Sequence, residues 1–409
     1  MLVAKRKNGD NFSLIHHWNR HELEEYRRKE VFFCPDCGQA LVLKLGRKRI
    51  WHFSHQKEAT CSYQYERESD YHLQGKLQLY QWLQDNQVEA DIEHYLPNCN
   101  QRADVVFYRE NKIFAVEFQC SPLDPTMFLK RTNGYLQHGI TPIWILGGNQ
   151  VKRLGENLFS LNQFQSLFLQ QHEKQWYLLS YCSQSRCFLF LQHLIPISTN
   201  KMIGTLTPIP RNEVKLVHLF HPPTRNFRSF SQWIHQLQKF KSNYYIYPNP
   251  QQRIILNEFY VNRSHLLTLP PELGLPVPSG IFIETPPLIW QSFLYLDLFH
   301  HLLVGDTFTY SQALQSFMTR IHHKQIVSRD VPLGRHGDYT NALKEYLQLL
   351  VDCSILDNNS EKFWIKCSFS ASDTIDQQRE KEQKFYQMHS KNIMKQFLSH
   401  PIMKQGEDV

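Results

Sequence analysis

The 409-residue sequence has no long, uninterrupted apolar run. Its most apolar late stretch, PLIWQSFLYLDLFHHLLVGD, is interrupted by Gln291, Asp297, His300 and His301, which favours a buried helix over a membrane span. The first residues, MLVAKRKNGD, become polar too soon to form the apolar segment of a signal peptide. We therefore expect neither a membrane span nor secretion, and predict a cytoplasmic location.

A disulfide framework is also missing, because the nine cysteines are odd in number and scattered along the chain. This pattern favours reduced thiols. Repeats and low-complexity tracts are absent, and a hydrophobic content of 42% excludes a largely disordered chain. The net charge of +7 is enough to attract a polyanion but is too common to indicate one by itself.

The order of apolar patterns predicts a multidomain α/β plus α protein, since 409 residues exceed what one core usually holds. Four segments are predicted, namely a small zinc-ribbon-like module at 1–62, an α/β domain at 65–150, an aromatic- and proline-containing middle region of unknown role at 151–285, and a mainly helical region at 287–400.

In the first segment, Asn8 and Gly9 predict a tight hairpin turn, and a second hairpin is expected around Gly46. Asn19 followed three residues later by Glu22 has the spacing of a capping box at the start of a helix.

Five candidate metal ligands follow in the same segment, more than the four positions of tetrahedral zinc. Cys34 and Cys37 form a CxxC knuckle, and His52, His55 and Cys61 lie downstream. We favour Cys34, Cys37, His55 and Cys61 as the ligands of a structural Zn²⁺, with His52 as the spare. The alternative is a redox CxxC or a set of reduced thiols.

In the second segment the order is helix, strand, strand, helix, strand, which predicts a mixed sheet. Asp104 begins one strand, and Glu117 and Gln119 share a face of the next. Two carboxylates on neighbouring strands can hold Mg²⁺, or Mn²⁺, beside a phosphodiester. The alternative is a pair of exposed acidic residues at strand ends.

The helix before these strands carries a polar stripe, because Glu68, His72 and Lys76 are spaced four residues apart. The stripe borders an apolar one, so it can face a site. An ordinary solvated Glu-to-Lys ladder is the alternative.

Three further residues are candidate DNA contacts. Arg131 and Tyr135 are four residues apart on the later helix, and Arg102 precedes Asp104. A guanidinium suits a phosphate and a ring suits a base. A surface arginine beside a packed tyrosine would give the same pattern.

Two helices and a hairpin between 310 and 366 follow the winged-helix order. The helix NALKEYLQ could then enter a DNA groove, with phosphate contacts from Lys324, Arg329, Arg335 and Lys344. A helical protein-interaction lobe fits the same pattern.

The motifs CPDC, HFSH, ESDYHLQGK, RADVVF, EFQCS and RTNGY together resemble the competence protein CoiA family, within the PD-(D/E)xK nuclease superfamily. The resemblance implies a restriction-endonuclease-like core with Asp104 and Glu117 as metal ligands and Glu68 as the helix carboxylate. It puts Gln119 where the superfamily usually has lysine. Lys76 or a second metal would then supply the missing positive charge.

The resemblance implies a Mg²⁺-dependent deoxyribonuclease that processes DNA taken up during natural competence and promotes its recombination. A second hypothesis is a non-catalytic accessory protein that binds single-stranded or branched DNA and assists the recombinase. Nuclease action on RNA is a third.

Overall fold

The structure is a computed structural model that describes residues 1–56, 61, 68–173, 175–223, 230–334, 337–359 and 362–397. The chain forms two compact units. The first contains Met1–Val151, Leu179–Phe190 and Thr207–Pro222, and the second contains Lys152–Leu178, Leu191–Leu206 and Pro223–Val409.

The first unit opens with an antiparallel sheet of five strands and one helix. Its elements are β1 Val3–Lys5, β2 Asn11–Ser13, α1 Arg20–Lys29, β3 Phe32–Phe33, β4 Ala40–Lys44 and β5 His52–His55, with strand order β2-β1-β3-β4-β5. Both predicted hairpins are present. Asn19 and Glu22 form the predicted capping box of α1.

A mixed sheet follows in the same unit, as the element order predicts. Its elements are α2 Asp70–Asp85, β6 Ala90–Ile92, β7 Tyr95–Leu96, β8 Gln101–Arg102, β9 Val105–Arg109, β10 Lys112–Gln119, α3 Pro125–Gln137 and β11 Ile140–Gly147. The sheet order is β6-β9-β10-β11, with β9 and β10 antiparallel and β10 and β11 parallel. The short strands β6 to β8 were not predicted, because two or three residues carry no readable period.

Helix α2 packs very closely on β10. A Cβ atom added at Gly75 would lie 2.0 Å from the Phe118 ring. The Phe118 side chain is buried and flanked by Tyr71 and Tyr181 rings, so it has little room to withdraw. Glycine at this position therefore sets how near α2 lies to the strand.

We expect Gly75→Ala to destabilise the first unit by about 1–3 kcal/mol, the usual range for overpacking a core. Urea unfolding of the variant measures the loss. Gly46→Ala, at a glycine whose added Cβ meets nothing within 4 Å, is the control. Equal stability of the two variants would contradict this account.

The second unit contains most of the remaining elements. These are β12 Lys152–Arg153, β13 Leu158–Ser160, α4 Gln163–Ser166, β14 Leu169–His172, β15 Gln175–Cys182, β16 Cys187–Ser198, β17 Lys201–Pro210, α5 Phe230–Ile246, α6 Pro250–Val261, α7 Pro287–Asp297, β18 Thr307–Thr309, α8 Tyr310–His322, α9 Tyr339–Asp352, β19 Leu356–Asn358, β20 Lys362–Ile365 and α10 Ile375–Lys395. Strands β15, β16 and β17 contribute residues to both units.

The six strands between 152 and 210 lie where the sequence indicated no motif. Strand β16, CFLFLQHLIPIS, is almost continuously apolar and buried, so it shows no alternation. The apolar segment after 287 is the buried helix α7, as predicted. Among the residues that the structure describes, no helix is both long enough and apolar enough to cross a bilayer.

Elements α7 to β20 follow the winged-helix order, and β18, β20 and β19 form a three-stranded sheet in that order. Helix α9, which would enter a groove, buries one apolar face, and Glu345 accepts hydrogen bonds from Ser279. Of the predicted phosphate contacts, Arg329 is buried and donates to the carbonyls of Ile281 and Thr199. The burial of Arg329 is therefore at odds with its predicted phosphate contact. Lys324 and Lys344 are exposed, so DNA contact by them and by α9 stays a prediction, whereas Arg335 lies outside the described residues.

Glu272 is a buried carboxyl in the second unit, and its Oε2 has no hydrogen-bond partner among the described residues. Burial raises its pKa to about 7. Because this pKa lies above the ordinary value, the carboxyl stabilises the fold most at acidic pH, and that contribution is lost as the pH rises through about 7.

We expect Glu272→Gln to be more stable than the wild type by about 3 kcal/mol at pH 8.5, and the gap to narrow towards pH 5. Urea unfolding at both pH values measures it, with the exposed Glu380→Gln as the control. A gap that does not change with pH would exclude ionisation of Glu272 as the cause.

Candidate functional site

The candidate site is built where α2 begins. Ser69 caps the helix, and its side chain accepts a hydrogen bond from the amide of His72. Glu68 therefore lies just before the helix, not on it as the four-residue spacing suggested. His72 and Lys76 are on α2, and Glu68 still contacts Lys76.

Asp104 is held at the end of the β9–β10 ladder. The last backbone pair of that ladder is Val105 with Val116, and beyond it the Phe118 amide donates to Asp104 Oδ2 at 2.9 Å. The same oxygen lies 3.3 Å from His72 Nε2. The Asp104 carboxylate therefore links helix α2 to strand β10.

Lys76 lies at the centre of a charged cluster and is only 1% exposed. The other members of this cluster are Met1, Glu68, His72, Glu93 and Asp104. Its ammonium pairs with Glu68, lies 2.5 Å from Glu93 Oε1, and lies 3.6 Å from Asp104 Oδ1. The α-amino group of Met1 lies 2.6 Å from Glu68 Oε2. Three carboxylates are therefore matched by cations of the protein itself.

These pairs decide the ionisation of the cluster. Burial alone would raise the pKa of Asp104, but the attraction of His72 and Lys76 outweighs it and lowers the pKa. Burial is likewise outweighed at Glu68 and Glu93, chiefly by Lys76, and both pKa values are lowered. Burial would lower the pKa of Lys76, but the carboxylates raise it. The carboxylates of Glu68, Glu93 and Asp104 and the ammonium of Lys76 are therefore ionised at neutral pH.

A metal ion has three candidate ligands here. Ligand atoms of Glu68, His72 and Asp104 all lie within 4.8 Å of one another. Two ionised carboxylates suit Mg²⁺ or Mn²⁺, and imidazole adds a ligand typical of transition metals. The donor set fits a divalent cation, although Lys76 already supplies positive charge at the same carboxylates.

Glu117 lies apart from this group of ligands. Its Oε1 accepts hydrogen bonds from Arg131 and from the hydroxyl of Tyr135, both on α3. Burial raises the pKa of Glu117, and the nearby charge of Asp104 adds to the rise against the opposing effect of Arg131. The expected metal pair of Asp104 and Glu117 is thus divided between an α2 side and an α3 side, and ligation by Glu117 stays a prediction.

The remaining predicted residues are placed as follows. Gln119 donates to the carbonyl of Ser121, within its own turn. Arg102 is 5% exposed and its guanidinium lies 3.1 Å from Asp36 Oδ2. Arg131 and Tyr135 contact Glu117, as described above. A DNA contact by Arg102 remains a prediction, although its guanidinium is buried.

The Cys/His cluster brings together the four ligands favoured from the sequence. Ligand atoms of Cys34, Cys37, His55 and Cys61 lie within 4.8 Å of one another. His52 is not in this group, and its Nδ1 lies 2.9 Å from the Ile50 carbonyl. Three thiols and an imidazole are a donor set that fits tetrahedral Zn²⁺.

Glu93 was missed by the sequence analysis although it is central to the cluster. Its Oε1 contacts Lys76, and its Oε2 accepts from the amides of Leu2 and Val3. It also adopts a positive φ of 50°, which is uncommon outside glycine. No motif marks it, because its partners are 17 and about 90 residues away.

Comparisons with known proteins give matches along most of the chain. Three family models match the chain: competence protein CoiA, N-terminal domain, at 15–64; its nuclease-like domain at 68–224; and its C-terminal domain at 229–371. Competence protein CoiA of Bacillus subtilis (strain 168) is 31% identical over 339 residues, which cover 83% of this chain and 90% of that protein. No solved structure gives a significant match.

All residues of the ionised cluster except Met1 fall within the nuclease-like match. The mixed sheet with its ionised cluster therefore lies in a nuclease-like domain. With three domain models and a relative matched over most of both chains, the chain belongs to the competence protein CoiA family.

Proposed function

We propose that this protein is a metal-dependent deoxyribonuclease that processes DNA taken up during natural competence and promotes its recombination. The observation that carries the proposal is the convergence of Glu68, His72 and Asp104 at the α2–β9 junction of the nuclease-like domain. The family name supports the competence setting.

Glu68, His72 and Asp104 would hold Mg²⁺ or Mn²⁺, which when bound supplies Lewis-acid chemistry at a phosphodiester. The chain's own residues prepare the site. The Phe118 amide and His72 orient the Asp104 carboxylate. His72 and Lys76 lower the pKa of Asp104, and Lys76 lowers the pKa of Glu68, so that both carboxylates are ionised at neutral pH and available as ligands.

The test is incubation of purified protein with labelled single-stranded, duplex and branched DNA, with Mg²⁺, with Mn²⁺, or with EDTA. We expect cleavage that requires the added metal and returns when metal is restored after EDTA. Absence of cleavage on all three substrates with either metal would overturn the nuclease proposal.

The second candidate function is a non-catalytic DNA-binding protein that assists the recombinase. The ionic pairing of the cluster favours it, because Lys76 and the Met1 ammonium already neutralise carboxylates that a metal would bind. The usual lysine is also replaced by Gln119, whose amide is directed to Ser121. Metal-independent binding of single-stranded or branched DNA without cleavage would support this candidate.

The Cys/His cluster would hold a structural Zn²⁺. Burial raises the pKa of Cys34 and lowers the pKa of His55, so the imidazole is already neutral, as a ligand must be. No part of the cleavage chemistry is assigned to this zinc.

We expect Cys61→Ser to lose most of the bound zinc and to destabilise the N-terminal sheet, because structural zinc contributes folding free energy directly. Elemental analysis of purified protein measures the metal content. Cys99→Ser, at a cysteine outside the cluster, should keep about one zinc per chain. Wild-type protein without zinc would contradict the assignment.

A further inference from the structure

The loop between β4 and β5 has the highest density of positive charge in the N-terminal sheet. Lys44, Arg47, Lys48 and Arg49 fall within six residues, and the segment contains no acidic residue. All four side chains are exposed. Such a loop can contact consecutive phosphates of one DNA strand, because neighbouring cations of the loop and neighbouring phosphates of the strand are each a few ångströms apart.

The four cations are also uncompensated. Within the described part of the chain, none of them forms an ion pair. The cations of α1 differ, since Arg20 pairs with Glu24 and Lys29 pairs with Glu25. The β4–β5 loop therefore presents charge that only a partner or counterions can neutralise.

The base of this loop is attached to the candidate site by two sets of contacts. The Ile50 amide, one residue after Arg49, donates to Asp70 Oδ1 at the start of α2 at 3.1 Å. On β5, the Phe53 carbonyl accepts from the Met1 amino group, which pairs with Glu68. The end of the loop is thus hydrogen-bonded to Asp70, which lies two residues after Glu68 of the carboxylate cluster.

We propose that Arg47, Lys48 and Arg49 bind the phosphate backbone of a DNA strand and guide that strand to the Glu68–His72–Asp104 cluster. The inference rests on the proposed function for the identity of the site it serves. The binding itself needs only the exposed, uncompensated cations. The inference assigns the N-terminal sheet a DNA-binding role, in addition to any structural role of the Zn²⁺ proposed for the Cys/His cluster.

The experiment compares two triple variants of the full chain that each remove three positive charges. The first is Arg47→Ala/Lys48→Ala/Arg49→Ala in the loop. The matched control is Arg27→Ala/Arg28→Ala/Lys29→Ala, at exposed cations in the last turn of α1. Binding of a fluorescent single-stranded DNA is measured by anisotropy across a salt series, in buffer cleared of free divalent cations so that no cleavage intervenes.

For the loop variant we expect roughly tenfold or greater loss of affinity at about 0.1 M salt, and a salt slope smaller by about 2, as for three lost phosphate contacts to a single strand. The control should change affinity less than threefold. A charge-preserving variant, Arg47→Lys/Arg49→Lys, should bind like the wild type. Zinc content and urea unfolding, measured on every variant, separate lost binding from lost folding.

Unchanged affinity of a folded loop variant, or equal loss in the two triple variants, would overturn the inference. Its failure is distinguishable from failure of the proposed function. A wild type that binds through the loop but never cleaves would leave the inference standing and remove the nuclease. If the wild type cleaves DNA and the loop variant binds and cleaves DNA like the wild type, the nuclease proposal stands and the inference about the loop is wrong.

Discussion

Asp104→Asn is expected to reduce metal-dependent cleavage by about 10³-fold or more, because a neutral amide removes one of two carboxylates that would hold the cation. The amide oxygen can still accept from Phe118, so the β9–β10 junction should remain folded. Binding of DNA should persist, since loss of a negative charge weakens no attraction to phosphate. Initial cleavage rates and anisotropy measure the two quantities separately.

Asp91→Asn is the control for Asp104→Asn, because Asp91 is an exposed carboxylate of the same unit on β6. It should cleave at the wild-type rate. Glu117→Gln then tests the role implied by the family resemblance. If the Asp104→Asn variant cleaves DNA normally, the cluster is not the active site. If this variant is inactive as a nuclease yet still supports transformation fully, the non-catalytic function is the better account.

Lys76→Met is expected to cost about 3–5 kcal/mol of stability in the first unit, because it removes a buried ammonium that pairs with both Glu68 and Glu93. Methionine fills nearly the same volume, so lost packing contributes little. Cleavage per folded molecule should fall more than DNA affinity, since the cation lies inside the cluster and not on the surface. Urea unfolding and single-turnover cleavage measure the two effects.

Two controls separate charge from packing. Lys76→Met/Glu93→Gln removes a carboxylate together with the ammonium and should recover part of the lost stability. Lys241→Met removes a second buried lysine, which lies 2.5 Å from Glu382 in the second unit, and should destabilise that unit without affecting cleavage. A stability loss below about 1 kcal/mol for Lys76→Met would show that the pairing is weak.

The elements defined by neighbouring residues were predictable. The turn at Asn8 and Gly9 and the capping box of Asn19 and Glu22 need only local geometry, and Gly9 has the positive φ of 90° that such a turn favours. The Cys/His cluster was also predicted, since five candidate ligand residues within 28 residues leave few combinations. Each of these features is defined by hydrogen bonds or ligand spacings between residues that are close together in the sequence.

Burial of the charged residues could not be predicted in the same way. Lys76 was predicted on a polar stripe facing a site and Arg102 as a DNA contact, yet both are buried, paired with Glu93 and Asp36 across 17 and 66 residues of chain. Sequence spacing says nothing about such partners, and a charge is buried only where its partner is also present.

The sequence by itself thus indicated the family, the order of the longer helices and strands in the α/β domain (α2, β9, β10, α3 and β11), and the ligands of the Cys/His cluster. The tertiary structure alone decided which carboxylates share the cluster. It moved Glu68 off the helix, joined Glu93 to Lys76, and turned Glu117 towards Arg131. The physical reason is that ionisation and ligation depend on distances of a few ångströms between side chains. Those distances are fixed only when α2 packs against Phe118 and Asp104 and α3 packs against Glu117.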